Sequence, residues 1–334
     1  MHLCLIGCGY IASRHARVLN GLGHVLSNEP LRLSFASRDK AKAEAFKASY
    51  GGTHAFGSYA DACSHGEIDA IVVCTPNADH YSTAVQAIAG RKHVIVEKPF
   101  ATTVADADDM LERAGTAGVN VFAAENHRYL PHVRWLESVI SSGELGTLKM
   151  IRLNFMGSLR FRDGEWRGSP AAMGGGVLID GGVHWVNTLL TLGGGDAANI
   201  TAVESTRTLP GCPGEDTIVV SCALQNGAVG VLTYSWNIAP SFADRFMAVY
   251  GDKGSAYVQN SGTLGMTVVG SRPRPKIFPR RDREGFMAMW QDFLINLRGG
   301  RQMRCLATGE MGRRDLAFVE AAYRSSQPRA ARSS

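Results

Sequence analysis

A glycine-rich turn near the start of the chain restricts the fold more than any other feature. Gly7-Cys8-Gly9-Tyr10-Ile11-Ala12 directly follows a short apolar run and opens a stretch with helical periodicity. The first glycine permits the tight turn, the second keeps a Cβ out of the way of a pyrophosphate, and the small third residue lets helix pack on strand. Amides at the start of the helix can then donate to phosphate oxygens. The spacing therefore predicts that this turn binds a dinucleotide.

Short apolar runs alternate with amphipathic stretches over the first third of the chain. The strand candidates are 3–6, 31–36, 70–74, 93–96 and 119–123, and the helix candidates are 11–22, 40–50, 78–89 and 104–117. Continuous apolar strands separated by amphipathic helices are typical of a parallel sheet covered on both faces. We expect an α/β fold in which residues 1–124 form a Rossmann dinucleotide-binding domain.

The pattern changes after residue 124 to a succession of strands. The strand candidates are 148–156, 200–208, 217–224, 229–236, 245–250, 256–259 and 266–269, and the helix candidates are 131–142, 176–192, 285–297 and 311–324. Consecutive strands joined by turn residues predict an antiparallel or mixed sheet. We expect an α+β domain at 125–326 and a flexible tail at 327–334. The basic stretch 272–276 is interpreted as a solvated loop.

Composition excludes several classes of protein. The 334 residues are 45% hydrophobic and 19% charged with a net charge of +5, which is typical of an ordinary globular protein. No Lys/Arg run with interleaved aromatics indicates a nucleic-acid partner, and no apolar run is long enough to span a bilayer. The seven cysteines form no CxxC pair. We therefore expect a cytoplasmic protein with reduced thiols and no metal site.

The end of the second strand indicates which dinucleotide fits. NAD sites usually have Asp or Glu there to bind the ribose 2′-hydroxyl. This chain has Ser37 and Arg38, which can bind a 2′-phosphate instead. Asp39 comes two residues late and is typical of a helix N-cap. We expect NADP, while NAD also fits if Arg38 only stacks on the adenine.

Four later segments carry a resemblance to a known family. They are Thr75-Pro76-Asn77-Ala78-Asp79-His80, Glu97-Lys98-Pro99, Asn126-His127-Arg128-Tyr129 and the glycine-rich 174–184. In this order, over about the first 195 residues, the chain resembles the Gfo/Idh/MocA family of glucose–fructose oxidoreductase, inositol dehydrogenase and rhizopine catabolism proteins. The resemblance implies a Rossmann domain followed by an open-faced, mostly antiparallel sheet, whose outer face makes a homodimer or homotetramer. It also implies oxidation or reduction of a secondary alcohol or ketone on a sugar, cyclitol or related ring.

The resemblance marks Lys98, Asp180 and His184 as the catalytic residues, and their chemistry agrees. Histidine is the side chain best suited to exchange a hydroxyl proton near neutral pH. Asp180 and His184 are four residues apart on one predicted helix, so the carboxylate can orient the imidazole. Lys98 follows a predicted parallel strand and can stabilise an alkoxide. Taken singly, each also fits a structural role, as a helix cap, a buried histidine or a surface lysine.

Several residues are expected to contact the cofactor. Those after the fourth strand lie at the sheet edge where ligands of open α/β sheets bind, although His80 also fits a packing role. The resemblance adds Glu97, and the Trp166-Arg167 pair fits an NADP contact nearly as well as a surface turn. The expected contacts from these segments are Thr75, Pro76, Asn77, His80, Glu97, Lys98, Asn126, Trp166 and Arg167.

One position departs from the family pattern, and two other functions stay open. Many relatives have Asp three residues beyond the histidine, whereas this chain has Asn187, which cannot act as an acid. Besides NADP(H)-dependent hydride transfer, a redox-neutral enzyme could use a tightly bound dinucleotide transiently for elimination or glycoside cleavage. A non-catalytic dinucleotide sensor is the third candidate, although it would need no proton-transfer residues. Substrate-pocket candidates are Arg160, Arg162, Tyr234, Trp236 and Arg245.

Overall fold

A computed structural model describes residues 1–22, 31–161, 165–205, 209–239, 245–259, 262–278, 284–299 and 306–326. The chain divides into two units. The first consists of Met1–Asn126 with Gly285–Arg313, and the second of His127–Glu284 with Arg314–Ser334. The sequence predicts one boundary, after residue 124, and does not indicate that residues 285–313 belong to the first unit. The assignment of cofactor binding to one domain and substrate binding to the other stays a prediction. The predicted tail lies outside the described residues.

The apolar runs of the first unit form a parallel sheet. Its strands are β1 (His2–Ile6), β2 (Arg32–Ala36), β3 (Ala55–Phe56), β4 (Ala70–Val73), β5 (His93–Val96) and β6 (Val121–Ala123). They lie in the order β3-β2-β1-β4-β5-β6, and every pair is parallel. The central strands β1 and β4 are buried along their whole length, as expected when helices cover both faces. The predicted Rossmann fold is confirmed.

Helices α1 to α5 connect these strands, and a side chain caps the start of α2, α3 and α5. They are α1 (Tyr10–Leu22), α2 (Lys40–Tyr50), α3 (Tyr59–Ser64), α4 (His80–Ala89) and α5 (Val104–Ala117). The Asp39 carboxylate accepts a hydrogen bond from the Ala41 amide at 3.0 Å, so Asp39 is the N-cap of α2 as expected. The hydroxyls of Ser58 and Thr103 cap α3 and α5 in the same way.

The second unit is built on an eight-stranded sheet. Its strands are β7 (Leu148–Met156), β8 (Ala197–Glu204), β9 (Thr217–Leu224), β10 (Val229–Ser235), β11 (Arg245–Gly251), β12 (Gly254–Gln259), β13 (Leu264–Val269) and β14 (Arg272–Ile277). Their order is β14-β13-β12-β11-β7-β10-β9-β8, and only β7 and β10 pair in parallel. This confirms the predicted mostly antiparallel sheet.

One face of this sheet is covered and the other is open. The helices of this part are α6 (Pro131–Ser141), α7 (Pro170–Met173) and α8 (Val183–Leu192). Helix α8 packs on β7 and β10, and α6 packs on β12. Successive residues of β9 alternate between buried and exposed, as in a strand with one covered face.

The basic stretch interpreted as a solvated loop is β14, which corrects that expectation. Its residues pair antiparallel with β13, from Leu264↔Ile277 to Val269↔Arg272. All six side chains are exposed, so no apolar alternation marked the segment as a strand. Pro273 and Pro275 suit this position at the edge of the sheet, because proline cannot donate to a further strand.

Two further helices follow, α9 (Phe286–Leu297) and α10 (Gly309–Ser326). Helix α9 belongs to the first unit and packs against α1. Its Trp290 and Phe293 are fully buried, and Phe293 stacks on Phe122 of β6 with ring centroids 5.0 Å apart. None of the helices in the described part of the chain is long and apolar enough to cross a membrane.

Candidate active site

The glycine turn has the backbone that its sequence predicts. Gly7 has a φ of +98°, and a Cβ there would lie 2.5 Å from the carbonyl oxygen of Cys74, so only glycine fits. A Cβ on Gly9 would meet nothing within 4 Å, which leaves open space beside the turn. Helix α1 begins at Tyr10, directly after it. Open space next to a helix N-terminus suits a pyrophosphate, so these residues fit a dinucleotide.

The motifs of the first unit meet at the carboxyl edge of its sheet. From β1 the chain continues to β2 on one side, whereas from β4 it continues to β5 on the other, which leaves a crevice between their ends. Thr75, Pro76 and Asn77 follow β4, while Glu97 and Lys98 follow β5. These residues therefore lie on the edge where open α/β sheets bind ligands. The Lys98-Pro99 peptide bond is cis.

The side chain of His80 links the loop after β4 to the loop after β5. The ring is almost fully buried, with Nδ1 2.7 Å from the Pro99 carbonyl oxygen and Nε2 3.0 Å from that of Thr75. Burial lowers the pKa of His80, while hydrogen bonds to the two carbonyls act in the opposite direction. This geometry favours the packing role, and the expected cofactor contact stays a prediction.

Glu97 has two partners that the sequence did not indicate. Its carboxylate is buried, with Oε1 2.7 Å from Nε2 of His15 and Oε2 accepting from the Lys98 amide at 3.1 Å. His15 in turn accepts a hydrogen bond from the indole of Trp290 at 2.9 Å. Glu97 is therefore held by His15 of α1 and by its own loop, while Trp290 of α9 holds His15. No local spacing could have identified His15 or Trp290.

The residues after β2 are arranged differently from an acidic ribose site. Asp39, the nearest carboxylate, is engaged as the cap of α2. Ser37 is buried and its Oγ accepts from the Asp39 amide at 3.2 Å, whereas Arg38 is exposed. Burial raises the pKa of the Tyr59 hydroxyl, and the Arg38 guanidinium, which hydrogen-bonds to it, acts in the opposite direction. A cation therefore occupies the position where NAD sites usually have an acid.

In the second unit, Asp180 lies on a π-helical turn, Leu178–Gly182, that precedes α8. Its carboxylate is almost fully buried and accepts a hydrogen bond from Nε of Arg167 at 2.7 Å. Arg167 also donates to Glu165 at 3.1 Å and stacks over the ring of Trp166 at 4.6 Å. The predicted regular helix over 176–192 is thus interrupted at Asp180, as π-turns often are at functional sites. The expected contact of Trp166 and Arg167 with the cofactor stays a prediction.

His184 lies in the first turn of α8 and stacks flat against a second histidine. The rings of His184 and His127 are 4.0 Å apart with an interplanar angle of 15°. His127 also meets Trp185 edge-on, with centroids 5.5 Å apart. These contacts hold the His184 ring in one plane. Nothing in the sequence singles out His127 within its motif. The orientation of His184 by Asp180 stays a prediction.

The buried Glu215 and the partly buried Tyr323 anchor the π-helical turn. One carboxylate oxygen of Glu215 accepts from the Leu178 amide at 2.8 Å and from the Tyr323 hydroxyl at 2.9 Å. The same hydroxyl accepts from the amides of Gly176 and Ile179. Burial raises the pKa of Glu215 to about 7. Together these bonds fix the start of the turn that carries Asp180.

The remaining candidates have varied surroundings. Tyr234 and Trp236 are buried, with the indole of Trp236 donating to the Tyr234 hydroxyl at 2.9 Å, and both lie against Gly181 of the π-turn. Arg160 is exposed and Asn126 is buried. Arg162 and the side chain of Arg245 lie outside the described residues.

The Rossmann sheet, its glycine turn and the residues along its carboxyl edge define a dinucleotide-binding protein, and comparison with known proteins gives the family. Residues 1–125 match the family model described as an oxidoreductase family with an NAD-binding Rossmann fold. Residues 133–257 match the GFO/IDH/MocA C-terminal domain. The chain belongs to the Gfo/Idh/MocA family and is an oxidoreductase, so the resemblance seen in the sequence is confirmed.

Its relatives include dehydrogenases of small hydroxylated molecules. The trans-1,2-dihydrobenzene-1,2-diol dehydrogenase of Oryctolagus cuniculus is 27% identical over 75% of this chain and 73% of that protein. The D-apiose dehydrogenase of Rhizobium rhizogenes is 25% identical over 96% of this chain and 94% of that protein. The crystal structure of an oxidoreductase from Thermotoga maritima, 25% identical, superposes with a TM-score of 0.85 over 98% and 96% of the two chains.

The effect of having Asn187 where many relatives have Asp can be tested by substitution. It is fully buried, and its amide nitrogen donates to Oδ2 of Asp315 at 2.6 Å, while Arg314 donates to Oδ1 at 3.0 Å. Asn187→Asp replaces this donor with a second buried carboxyl. We expect it to lower the free energy of unfolding at pH 7 by about 3 kcal/mol, because it removes a donor to the buried Asp315 carboxylate and places a second buried carboxyl beside it. Urea denaturation measures the change.

The reciprocal variant is the control for that prediction. Asn187→Asp combined with Asp315→Asn restores one amide and one carboxylate, so we expect it to recover most of the lost stability. The deficit of the single variant should shrink as the pH falls, because two adjacent carboxyls in the folded state hold a proton more tightly than they do when unfolded. A single variant as stable as the wild type would show that the pair does not matter.

Proposed function

We propose that the protein is an NADP(H)-dependent oxidoreductase that transfers a hydride to or from a secondary alcohol or ketone of a sugar, cyclitol or related ring. The observation that carries the proposal is the carboxyl edge of the Rossmann sheet, where the glycine turn after β1 and Lys98 after β5 flank the loop that follows β4. The activities named for the relatives, on a dihydrobenzene diol and on D-apiose, support a small hydroxylated substrate.

Each proposed catalytic side chain has a role that its surroundings support. A bound nicotinamide supplies the acceptor or donor of the hydride. His184 exchanges the hydroxyl proton, because its ring is partly exposed and its plane is fixed by His127. Lys98 stabilises the developing alkoxide. Asp180 is the orienting group, and its own carboxylate is held by Arg167.

Steady-state kinetics with a panel of polyols, cyclitols and cyclic ketones tests this proposal. We expect the wild type to change nicotinamide absorbance with at least one member. His184→Asn should lower kcat by about 10²–10⁴-fold, the usual contribution of a general acid–base, with little change in dinucleotide Kd. His54→Asn, at a partly exposed histidine of the first unit, is the control and should leave kcat unchanged.

Two outcomes would contradict the proposal. In the first, the dinucleotide binds but no member of the panel reacts, and His184→Asn changes nothing. In the second, substrate is converted with no net change in nicotinamide absorbance, which would favour the redox-neutral alternative of elimination or glycoside cleavage.

The preference for NADP is proposed from the residues after β2. The carboxylate that could bind a ribose 2′-hydroxyl is occupied as the cap of α2, and the neighbouring side chains are a hydroxyl and a guanidinium. An arginine and a serine suit a 2′-phosphate, whose charge needs charged or hydroxyl donors. The geometry therefore favours NADP over NAD.

Arg38→Ala tests this preference. We expect it to raise the Kd of NADPH by about 10- to 100-fold, since a hydrogen bond to a charged group contributes about 1.5–3 kcal/mol. The Kd of NADH, which lacks the phosphate, should change less than threefold, and calorimetry measures both values. Lys47→Ala, at a partly exposed cation in the last turn of α2, is the matched control. Tighter binding of NADH than of NADPH by the wild type would contradict the preference.

We also propose that the open face of the second sheet makes a homodimer or homotetramer. Exposed apolar side chains lie on four neighbouring strands of that sheet, namely Met150, Val203, Val219 and Val229. Val229 pairs with Met150, and Val203 pairs with Val219, so the two side chains within each pair are adjacent. Two exposed apolar pairs on the open face of one sheet favour an interface.

Analytical ultracentrifugation tests the interface. We expect the wild type to sediment as a dimer or tetramer and the double variant Val219→Lys, Val229→Lys as a monomer, because two buried ammonium groups per subunit would lose their water. Ile277→Lys is the control, since Ile277 is 78% exposed but lies on the edge strand β14. A monomeric wild type, or dissociation by the control variant, would contradict the assignment.

We further propose a cytoplasmic location. Cys4, Cys63, Cys74 and Cys222 are buried, and these four, like Cys8 and Cys212, are free thiols. Burial raises the pKa of the Cys63 and Cys222 thiols to about 11, which keeps them protonated and unreactive. Free, unreactive thiols suit a reducing compartment.

A further inference from the structure

A buried hydrogen-bonded chain in the first unit reaches the proposed catalytic lysine from the far end of the sequence. It runs from the indole of Trp290 to His15 at 2.9 Å, from His15 to Glu97 at 2.7 Å, and from Glu97 to the Lys98 amide at 3.1 Å. Trp290 and His15 are fully buried, and Glu97 nearly so. Its end members, Trp290 and Lys98, lie on α9 and on the loop after β5.

The donors in this chain fix the tautomer of His15. An indole N–H can only donate, so Nδ1 of His15, which receives it, carries the lone pair. The ring proton is then on Nε2, which faces Oε1 of Glu97 and donates to it. Reversing the tautomer would leave the Trp290 donor without an acceptor and Glu97 without this donor. Trp290 therefore determines which hydrogen bond His15 can make.

The surrounding packing leaves the imidazole one orientation. The rings of Trp290 and Phe286 meet it edge-on, with centroids 5.4 and 5.3 Å away and interplanar angles of 90° and 87°. Both aromatic residues belong to α9. A fully bonded polar group in such a cage is rigid, because any rotation breaks bonds that water cannot replace.

The two carboxylate oxygens of Glu97 connect the rigid His15 ring to the main chain of Lys98. One oxygen accepts from His15, and the other accepts from the main-chain N–H of Lys98. The carboxylate thus fixes the peptide group from which the Lys98 side chain departs. Because His15 lies on α1, the helix that begins in the glycine turn, the same chain also sets Lys98 relative to the dinucleotide-binding turn.

We propose that Trp290 and His15 are positioning residues that hold Glu97 and, through it, Lys98 in the geometry needed for hydride transfer. The proposal rests on the proposed function of Lys98. It assigns a role in the reaction to α9, which lies far along the sequence from the loop it supports. It also gives His15 a purpose that differs from that of His2, another fully buried histidine, whose Nε2 lies 2.7 Å from the Ser34 hydroxyl.

Kinetics of variants at His15 and Trp290 test the proposal, with His2 as the matched control. We expect His15→Leu to lower kcat about 10- to 100-fold, the usual cost of a misplaced catalytic group, with the Kd of NADPH within twofold. His15→Gln, whose amide can still donate to Glu97, should recover most of the lost kcat. Trp290→Phe keeps a ring but removes the donor, and should lower kcat without a matching change in KM. His2→Leu, which removes a buried imidazole elsewhere, should leave kcat unchanged.

Nuclear magnetic resonance gives a readout that does not depend on activity. Long-range ¹⁵N–¹H spectra should show the Nε2–H tautomer of His15 in the wild type and its loss or mixing in Trp290→Phe. The Lys98 amide resonance should shift in His15→Leu and return towards its wild-type position in His15→Gln. Both measurements use the full chain, and the Gln and Phe variants keep the test available if His15→Leu does not fold.

The outcomes separate this inference from the proposed function. If the wild type converts no substrate but the spectra change as described, the proposed function fails while the hydrogen-bonded chain stands. If the wild type is active and His15→Leu keeps kcat within twofold, the inference is overturned. It is also overturned if His2→Leu loses as much activity as His15→Leu, or if the His15 tautomer is the same in Trp290→Phe as in the wild type.

Discussion

The parallel pairing of β1 with both β2 and β4 is the constraint on which the first unit depends. Ile6 pairs with Ala36 on one side and with Val73 on the other, so three strands end side by side. Their close approach presses residue 7 against the Cys74 carbonyl and forces a turn that only glycine can make. The same ending places the residues after β4 and β5 on one edge. The register of these strands thus determines where the glycine turn and the loop that carries Lys98 lie.

The second unit positions its residues by buried polar groups rather than by strand ends. A π-helical turn leaves backbone amides out of the regular helical pattern, and buried amides need partners. Glu215 and Tyr323 supply them for Gly176, Leu178 and Ile179. Asp180 is then fixed on a turn whose shape depends on two side chains distant in sequence. Its carboxylate is neutralised by Arg167, which lies outside the turn.

Periodicity predicted the first unit well because its strands are buried on both faces. β5 was predicted with its observed bounds, and β4 differs by a single residue. The two-residue strand β3 is too short to carry a pattern. The i, i+4 argument for Asp180 and His184 assumed a regular helix, and the π-turn results from packing that spacing does not encode. The bond between His15 and Trp290 joins residues 275 positions apart, so no window of sequence contains it.

The return of 285–313 to the first unit has a consequence for synthesis of the protein. Strand β6 ends the parallel sheet, and its Phe122 forms an antiparallel bridge with Thr308, while the Ala123 amide donates to the Ala307 carbonyl at 3.2 Å. Until those residues leave the ribosome, this sheet edge and the site of the Trp290 ring lack their partners. Such an edge is open to pairing with other chains. The first unit is therefore completed only after residue 308 has emerged, although its six parallel strands end at residue 123.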